Sequence, residues 1–505
     1  MFLSVIFPLF LGAHCLSDLA EECPNYEKYS KVAHKPFSDG KLRLPFQRPP
    51  KECRTFISDA VENKLEEVKS QIYNEDVARL WENSFPNTLD TTIKFHRSGE
   101  SPLTFVVTGD IDAEWIRDSH RQLSPYLTVL KEMPKQQRVK DPLSDLMRGA
   151  IALHAQYLKV SPHCNAFQAP PEANIMHFRS NTRDRVYPPV NPTFAFECKY
   201  ELDSLASFYG LANSYFEATH DLSFMTDNFL EAIAKTLKFL QSTMVGTFDD
   251  EGHQQLHPYE FQRSTDIGSE TQWNKGVGNP VRYTGMARSW FRPSDDATIF
   301  QFFVPANAQM AVELNKLSVF LQGSLGNLAS KLSKSIATGI WEHGVVEHAK
   351  FGKVFAYEVD GYGSSIMMDD ANMPSLLSLP LTGFVSDNDP TYLRTRAMIM
   401  DLKSNPYYIK GQYFEGIGGP HVGVRNAWPM SRIIAMRTTD DVDEIRGHLK
   451  SVMAVAKDLG LIHESVNVDT KDYTRSWFAW ANSEFANSIL DLQNRGLLKT
   501  VTENL

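Results

Sequence analysis

Apolar residues recur at three- and four-residue spacing along most of this chain, a period that predicts a largely helical protein. In residues 201–219, for example, Leu202, Leu205, Phe208 and Tyr209 share one stripe. Evidence for strands is sparse. The same period predicts helices over residues 58–82, 119–130, 142–160, 201–219, 222–244, 305–322, 325–342, 390–404, 426–436, 440–460 and 476–496.

Successive predicted helices pair into hairpins, and long stretches rich in Gly, Asp, His and aromatic residues separate the hairpins. Three such stretches are residues 161–195, 246–303 and 355–381. Loops of this length usually carry function. The chain is therefore predicted to form an all-α toroid of helical hairpins, with long loops that build a pocket at one end. A regular solenoid is disfavoured because no repeat of fixed length is detectable.

The first 20 residues, MFLSVIFPLFLGAHCLSDLA, resemble a secretory signal, because their apolar run is too short to span a bilayer. No lysine or arginine precedes that run, so both a cleaved signal and an uncleaved signal anchor remain open. Either interpretation puts the rest of the chain in the lumen of the secretory pathway or outside the cell. No later segment is apolar enough to span a membrane. Residues 21–57 lack periodicity and are predicted to form an extended arm, followed by a single catalytic domain over residues 58–505.

Five cysteines indicate disulfides, since Cys15 lies in the predicted signal and four others remain. Four cysteines allow three pairings. We favour Cys23 with Cys53 and Cys164 with Cys198, because each pair lies within one region of the chain. Unpaired buried thiols are the alternative, and none of the four has the close spacing of a zinc site.

The composition narrows the class of partner. A hydrophobic content of 42% with 22% charged residues is typical of a soluble globular protein. A net charge of −10, with no run of lysine and arginine, argues against nucleic acid or an anionic membrane surface as the main partner. The sequence lacks GxSxG, HExxH and phosphate-binding glycine loops. We therefore expect a neutral or cationic substrate, no metal or cofactor, and a monomer.

Four segments concentrate carboxylates, and in all except residues 367–375 they are joined by aromatic side chains where a helix is predicted to begin. They are TGDIDAEWIRDS (108–119), FECKYELDS (196–204), MMDDANMPS (367–375), and LIHESVNVD with TRSWFAWANS (461–469 and 474–483). One interpretation is that Asp203, Asp370 and Glu464 cap helices. The other is that the segments converge on a glycosidase site, which needs one protonated and one ionised carboxyl group. The pattern alone does not choose between them.

These segments, with YEVDGYG upstream of MMDDANMPSLLSLP, resemble those of glycoside hydrolase family 125, whose characterised bacterial members are exo-α-1,6-mannosidases. The resemblance covers residues 59–492 in one register. It implies an (α/α)6 barrel with short strands and long loops at the active-site end. It also implies an inverting, metal-independent mechanism acting on terminal α-1,6-linked mannose of N-glycan or mannan-type oligosaccharides.

The resemblance also implies roles for individual residues. By motif, Asp203 of KYELDS is the expected general acid and Glu464 of HES the expected general base. An inverting pair holds a water between the base and the sugar, so the two carboxyl groups should lie about 6.5–9.5 Å apart. Asp203 would have to remain protonated at working pH. The residues expected to bind mannose hydroxyls or stack on the sugar are Asp110, Trp115, Arg117, Asp118, Asp370, Asn372 and Trp477.

Two departures from the family pattern and two other functions remain open. Glu114 stands where the family more often has Met, and its charge either tunes the leaving-group side or faces solvent. Residues 246–290 match the family less clearly, which leaves subsite specificity open. The DxD sequence Asp110-Ile111-Asp112 would suit a metal-dependent glycosyltransferase, but no nucleotide-binding α/β region accompanies it. A non-catalytic mannoside-binding protein is the other alternative, and the intact Asp and Glu argue against it.

Overall fold

The computed structural model describes residues 23–177, 183–503 and 505, and its main helices form two concentric rings. Within these residues the inner ring has six helices: Ile116–Glu132, Leu202–Thr219, Val304–Phe320, Leu379–Thr382, Pro429–Arg437 and Ala479–Asn494. The outer ring of the same residues has six more: Glu75–Ser84, Pro142–Val160, Asp227–Ser242, Gly323–Gly339, Pro390–Ile399 and Val442–Ala456. The first inner helix packs between the second and the last, which closes the ring. The predicted (α/α)6 barrel is confirmed.

The long loops all lie at one end of the barrel. Each follows an outer helix and leads into an inner one; the described parts are residues 85–115, 161–177 with 183–201, 243–303, 340–378, 400–428 and 457–478. Connections at the opposite end are short: residues 133–141, 220–226, 321–322, 383–389 and 438–441. The long loops and the amino-terminal ends of the inner helices therefore share one end of the barrel.

Short antiparallel strands within these loops pair into small sheets. Three-stranded sheets stand next to the inner helices: Glu114–Trp115 with Ala166–Phe167 and Ala195–Glu197; Phe302–Phe303 with Glu358–Val359 and Ser365–Ile366; Asn426–Ala427 with Ser465–Asn467 and Tyr473–Thr474. Two-stranded sheets pair Ile93–Arg97 with Leu103–Val106, Asp184–Tyr187 with Glu260–Arg263, Val345–His348 with Gly352–Phe355, and Tyr408–Lys410 with Glu415–Ile417.

The remaining elements are short helices and single turns. The helices are Tyr26–Tyr29, Asp59–Lys69, Asn87–Thr91, Lys135–Arg138 and Leu498–Thr502. The 3-10 turns are Lys51–Cys53, Pro171–Ala173, Gly268–Glu270, Asn274–Gly276 and Pro420–Val422, and a π-helical turn spans Ile340–Gly344.

Two helix predictions need correction. The predicted helix over residues 58–82 is two helices, Asp59–Lys69 and Glu75–Ser84, because the chain turns after Lys69 and Asn74 caps the second helix. The inner helix Leu379–Thr382 was missed, since a single turn around Pro380 is too short to show a helical period.

Both disulfides have the pairing that the cysteine spacing favours. Cys23 is bonded to Cys53, and Cys164 is bonded to Cys198. The first closes the segment of residues 23–57, which packs on the barrel; its boundary as a separate arm stays a prediction. The predicted signal over residues 1–20 lies outside the described residues. In the part of the chain that the structure describes, no helix combines the length and apolarity needed to cross a bilayer.

Candidate active site

A concave cavity opens at the loop end of the barrel, the kind of surface at which small-molecule sites form. The structure brings six of the predicted site residues to its wall: Asp110, Trp115, Arg117, Asp118, Asn372 and Glu464. Three of the four carboxylate-rich segments thus converge on one cavity, and the fourth lies directly behind it.

Three predicted site residues do not reach the cavity wall. Asp203 is fully buried, and its carboxylate accepts a hydrogen bond from Arg117 Nη1 at 3.2 Å. Asp370 is also fully buried and accepts hydrogen bonds from the backbone and side chain of Asn372, at 3.0 and 2.8 Å. Trp477 is 3% exposed and packs behind the cavity wall, so the geometry does not support a stacking role for it.

Glu464 stands in the wall beside a cation. It directly precedes the strand Ser465–Asn467, whose antiparallel partner is Tyr473–Thr474, and this pairing brings Arg475 next to it. Arg475 Nε donates to Glu464 Oε1 at 3.2 Å, and its Nη1 donates to Asp110. The guanidinium thus offers positive charge to both carboxylates, which suits a base that must be ionised.

Arg117 is the centre of a second, buried cluster. Its guanidinium contacts Asp118 at 3.2 Å and Glu201 at 2.5 Å, in addition to Asp203. Burial raises the pKa of Asp118 to about 6, although Arg117 opposes the shift. Burial likewise raises the pKa of Asp203 to about 6 against the same cation. Arg117 therefore forms ion pairs with three carboxyl groups, and of these only Asp118 borders the cavity.

Asp295, which no sequence argument singled out, completes the wall. Asn165 Nδ2 donates to Asp295 Oδ1 at 3.2 Å and to Glu201 Oε1 at 3.0 Å, and Trp115 Nε1 donates to Asp295 at 3.3 Å. Glu201 and Asp295 also lie within hydrogen-bonding reach of each other. Burial raises the pKa of Glu201 well above its ordinary value. Burial acts in the same direction on Asp295, but the Lys199 ammonium, the hydrogen bond from Glu201 and the Arg117 guanidinium outweigh it and hold the pKa of Asp295 well below its ordinary value. Within this pair of carboxyl groups the proton is therefore held by Glu201.

The capping interpretation of the carboxylates is not supported. Asp203 is oriented towards Arg117, Asp370 towards Asn372 and Glu464 towards Arg475. In the described residues, no inner helix donates a backbone N–H hydrogen bond to the side chain of its own N-cap residue; the N–H of Leu202 donates instead to Ser289 Oγ in a distant loop. The carboxylates at this end of the barrel therefore belong to a polar site and do not terminate helices.

A comparison with protein families assigns this site to a class of enzyme. The family described as "Metal-independent alpha-mannosidase (GH125)" matches residues 74–490. The chain belongs to glycoside hydrolase family 125. It is therefore a glycoside hydrolase, and the predicted family, enzyme class and α-mannosidase activity are confirmed.

Two relatives extend this family 125 assignment over most of the chain. The "Meiotically up-regulated gene 157 protein" of Schizosaccharomyces pombe is 50% identical over 481 residues, which are 94% of this chain and 93% of that protein. A Streptococcus pneumoniae structure from the family of metal-independent alpha mannosidases, described as a non-productive substrate complex with alpha-1,6-mannobiose, is 32% identical. It covers 87% of this chain and 99% of its own, with a TM-score of 0.77.

Glu114, where this family 125 chain departs from the usual pattern, neither faces solvent nor borders the cavity. It is fully buried, and its Oε1 lies 2.9 Å from His154 Nε2 on the outer helix Pro142–Val160. The expectation that Glu114 faces solvent was therefore wrong, because its carboxylate has a partner inside the protein; an influence on the leaving-group side stays a prediction. The DxD aspartates also separate, since Asp110 binds Arg475 while Asp112 faces Lys94 at 4.0 Å.

Sequence reasoning missed several residues of the wall. They are Asp295, His421, Trp428, Arg475, Phe478 and Trp480, with Pro293 and Ser294 beside Asp295. The sequence around Asp295, SWFRPSDD (289–296), could have pointed to it, because it combines aromatic and acidic residues as the predicted site segments do. No helix is predicted to begin directly after this segment, because the next inner helix begins only at Val304.

Proposed function

We propose that this family 125 enzyme is an exo-acting, inverting mannosidase that removes terminal α-1,6-linked mannose from N-glycan or mannan-type oligosaccharides. We expect it to act as a monomer in the secretory-pathway lumen or outside the cell, and its two disulfides support such an oxidising location. The observation that carries the proposal is the presence of Glu464 and Asp295 in the wall of a single cavity. The mannobiose complex of the 32% identical Streptococcus pneumoniae protein supports the linkage.

Glu464 is the proposed general base. An inverting glycosidase uses an ionised carboxylate to deprotonate the water that attacks the anomeric carbon. Contact with the Arg475 guanidinium at 3.2 Å and a position in the cavity wall both support this role. Attack from the face opposite the leaving group would release mannose as its β-anomer.

Asp295 and Asp203 are the two candidates for the general acid. The resemblance to the family implies Asp203, but a proton donor must reach the leaving oxygen, and the Asp203 carboxyl is enclosed behind Arg117. Asp295 borders the cavity and is bridged to Glu201 by the Asn165 amide. We therefore propose that Asp295 donates the proton, supplied by Glu201, and that Asp203 holds Arg117 in place.

The reaction is tested by proton NMR of the purified protein with α-1,6-mannobiose, with and without a chelator. We expect β-mannose to appear first, with equal rates in both samples. Initial α-mannose would contradict inversion, and loss of turnover with the chelator would contradict a metal-independent mechanism. A folded protein that binds mannobiose but releases no mannose would favour the mannoside-binding alternative.

The general acid is identified by leaving-group dependence. Asp295→Asn should lower turnover of mannobiose by about 10²- to 10⁴-fold, because its leaving oxygen needs a proton. The same variant should lose much less activity on 2,4-dinitrophenyl α-mannoside, whose leaving group departs as the anion. Asp203→Asn should slow both substrates by similar factors. If Asp203→Asn slowed only mannobiose and Asp295→Asn slowed both substrates equally, the general acid would be Asp203.

A further inference from the structure

An arm that precedes the segment matched by the family reaches the active site from behind. The family match covers residues 74–490, whereas this arm comprises residues 23–57. The Tyr26 ring packs edge-on against Trp477 with a centroid separation of 4.9 Å. Ser30 Oγ lies 2.6 Å from Ser476 Oγ, and both serines are buried. The arm therefore holds the two residues that directly follow Arg475.

Arg475 has a backbone conformation that depends on its surroundings. Its φ of 53° lies in the left-handed region, which is unfavourable for a residue other than glycine and persists only where neighbouring contacts enforce it. In this conformation its side chain reaches both Glu464 and Asp110. Loss of the contacts to the next two residues would relax Arg475 and release Glu464 from its orientation.

The second partner of Arg475 depends on the same contact. Gly109 lies against the indole of Trp477: a Cβ atom added to Gly109 would be 3.3 Å from the ring, and its φ of 145° suits only glycine. Trp477 is thus enclosed between Tyr26 of the arm and the loop that carries Asp110. The contacts among Tyr26, Trp477 and Gly109 therefore support Asp110 from the side away from the cavity.

The arm is anchored firmly enough to serve as a support. Tyr26 Oη donates to the Gln47 carbonyl at 3.0 Å and accepts from Asn87 Nδ2 at 3.3 Å. Arg48 Nε binds the buried carboxylate of Asp90 at 2.7 Å. The Cys23–Cys53 disulfide joins the two ends of the arm. Tyr26 is therefore fixed to the barrel independently of its contact with Trp477.

We propose that Tyr26 and Ser30 are positioning residues of the active site. Through Trp477 and Ser476 they hold Arg475, which orients Glu464 for attack by water. The inference rests on the proposed role of Glu464 as the base. The arm contributes to turnover without touching the substrate, so its effect falls on kcat more than on KM.

The first test compares arm variants by kcat and KM on α-1,6-mannobiose, with Tm measured alongside. Tyr26→Ala should lower kcat about 10- to 100-fold with KM changed by less than about threefold, since small misplacements of catalytic groups are costly. Tyr26→Phe keeps the ring contact with Trp477 but loses the hydroxyl bonds to Gln47 and Asn87, so it should lower Tm and retain most of kcat. Ser38→Ala is the matched control for Ser30→Ala: Ser38 is a buried arm serine that binds Asp76. It should lower Tm alone, whereas Ser30→Ala should also lower kcat.

The second test asks whether Tyr26 acts through Arg475. In an Arg475→Ala background, Tyr26→Ala should change kcat by less than about twofold, because the residue it positions is gone. An unchanged kcat in Tyr26→Ala, or the same loss in both backgrounds, would overturn the inference. A wild-type enzyme without activity, or full turnover in Glu464→Gln, would instead overturn the proposed function.

Discussion

The inner and outer rings of the barrel differ in how their helices begin. Five outer helices start at a side chain that accepts hydrogen bonds from the first free backbone N–H groups: Asn74, Asp141, Thr226, Asp389 and Asp441. Among the described residues, the outer helix Gly323–Gly339 and all six inner helices lack such a cap. Each capping side chain typically stabilises a helix by about 1 kcal/mol, so the inner ring forgoes this stabilisation repeatedly.

Aromatic residues occupy the cap position of four inner helices. They are Trp115, Phe303, Trp428 and Phe478, and all except Phe303 border the cavity. The uncapped ends direct free N–H groups and the positive ends of the helix dipoles towards the end of the barrel that holds the carboxylates. The outer ring is therefore built for stability, while the inner ring gives up helix-capping stability to form a polar site.

The largest expected effect is a loss of activity that occurs when a carboxylate of the cavity is changed but not when one of the outer ring is changed. Glu464→Gln should lower kcat on α-1,6-mannobiose by about 10²- to 10⁴-fold, because the base can no longer accept a proton, and should leave Tm nearly unchanged. Glu444→Gln on the outer helix Val442–Ala456 is the matched control; its glutamate binds Arg396 and lies in the outer ring. Full activity in Glu464→Gln, or a comparable loss in Glu444→Gln, would contradict the division of labour between the rings.

The next largest effect is on the pH dependence of stability, which should differ in sign between a buried carboxyl group of the inner ring and one near the outer ring. Burial raises the pKa of Asp118 to about 6, above its unfolded value, so stability falls as pH rises from about 4 through 6. Asp118→Asn should therefore raise the free energy of unfolding at pH 7 by about 1–3 kcal/mol, and the gain should vanish below pH 4. Urea unfolding at both pH values measures this difference.

Asp221, in the connection before the outer helix Asp227–Ser242, supplies a control of opposite sign. Burial would raise its pKa, but hydrogen bonds from Ser223 and Tyr215 outweigh burial and hold the pKa below its ordinary value. Its ionised form therefore stabilises the protein above the unfolded pKa, and this stability is lost as pH falls. Asp221→Asn should lower stability at pH 7. If Asp118→Asn and Asp221→Asn changed the free energy of unfolding at pH 7 in the same direction, the expected difference between the rings would be contradicted.

The smallest expected effect concerns a single cap. Asp141→Ala at the start of the outer helix Pro142–Val160 should lower the free energy of unfolding by about 1 kcal/mol and leave kcat unchanged. Asp141→Ser, which can still accept a hydrogen bond, should recover most of the loss. Chemical denaturation and turnover of mannobiose measure the two quantities. A fall in kcat without a fall in stability would show that this outer terminus supports the site.

The helices and their hairpin order were predictable because the apolar period is a local property of the chain. The predicted helix over residues 142–160 has the observed bounds, and the predicted helix over residues 201–219 differs by one residue. Three of the four acidic segments also contribute residues to the cavity wall, since loops ahead of inner helices share one end of the barrel. The cysteine spacing pointed to the observed disulfides for the same reason, because each pair closes a short local segment.

Which side chains reach the cavity was decided by packing between distant segments. Trp477 and Trp480 lie in one motif, yet Trp480 borders the cavity while Trp477 is enclosed by the arm. Asp203 fits the pattern of a catalytic acid, but Arg117 and the inner helices enclose it. Asp295 lies far along the chain and reaches the wall through contacts with Asn165 and Trp115.

The sequence by itself therefore determined a toroid of helical hairpins and most of the segments that supply the site, because local spacing encodes them. It did not show the inner helix Leu379–Thr382 or the segment of Asp295. Only the tertiary structure decided which carboxylates border the cavity, how Glu114 is paired and what holds Arg475. These residues lie in strands and loops ahead of the inner helices, where no helical period fixes the direction of a side chain. Contacts between segments far apart in the sequence set that direction.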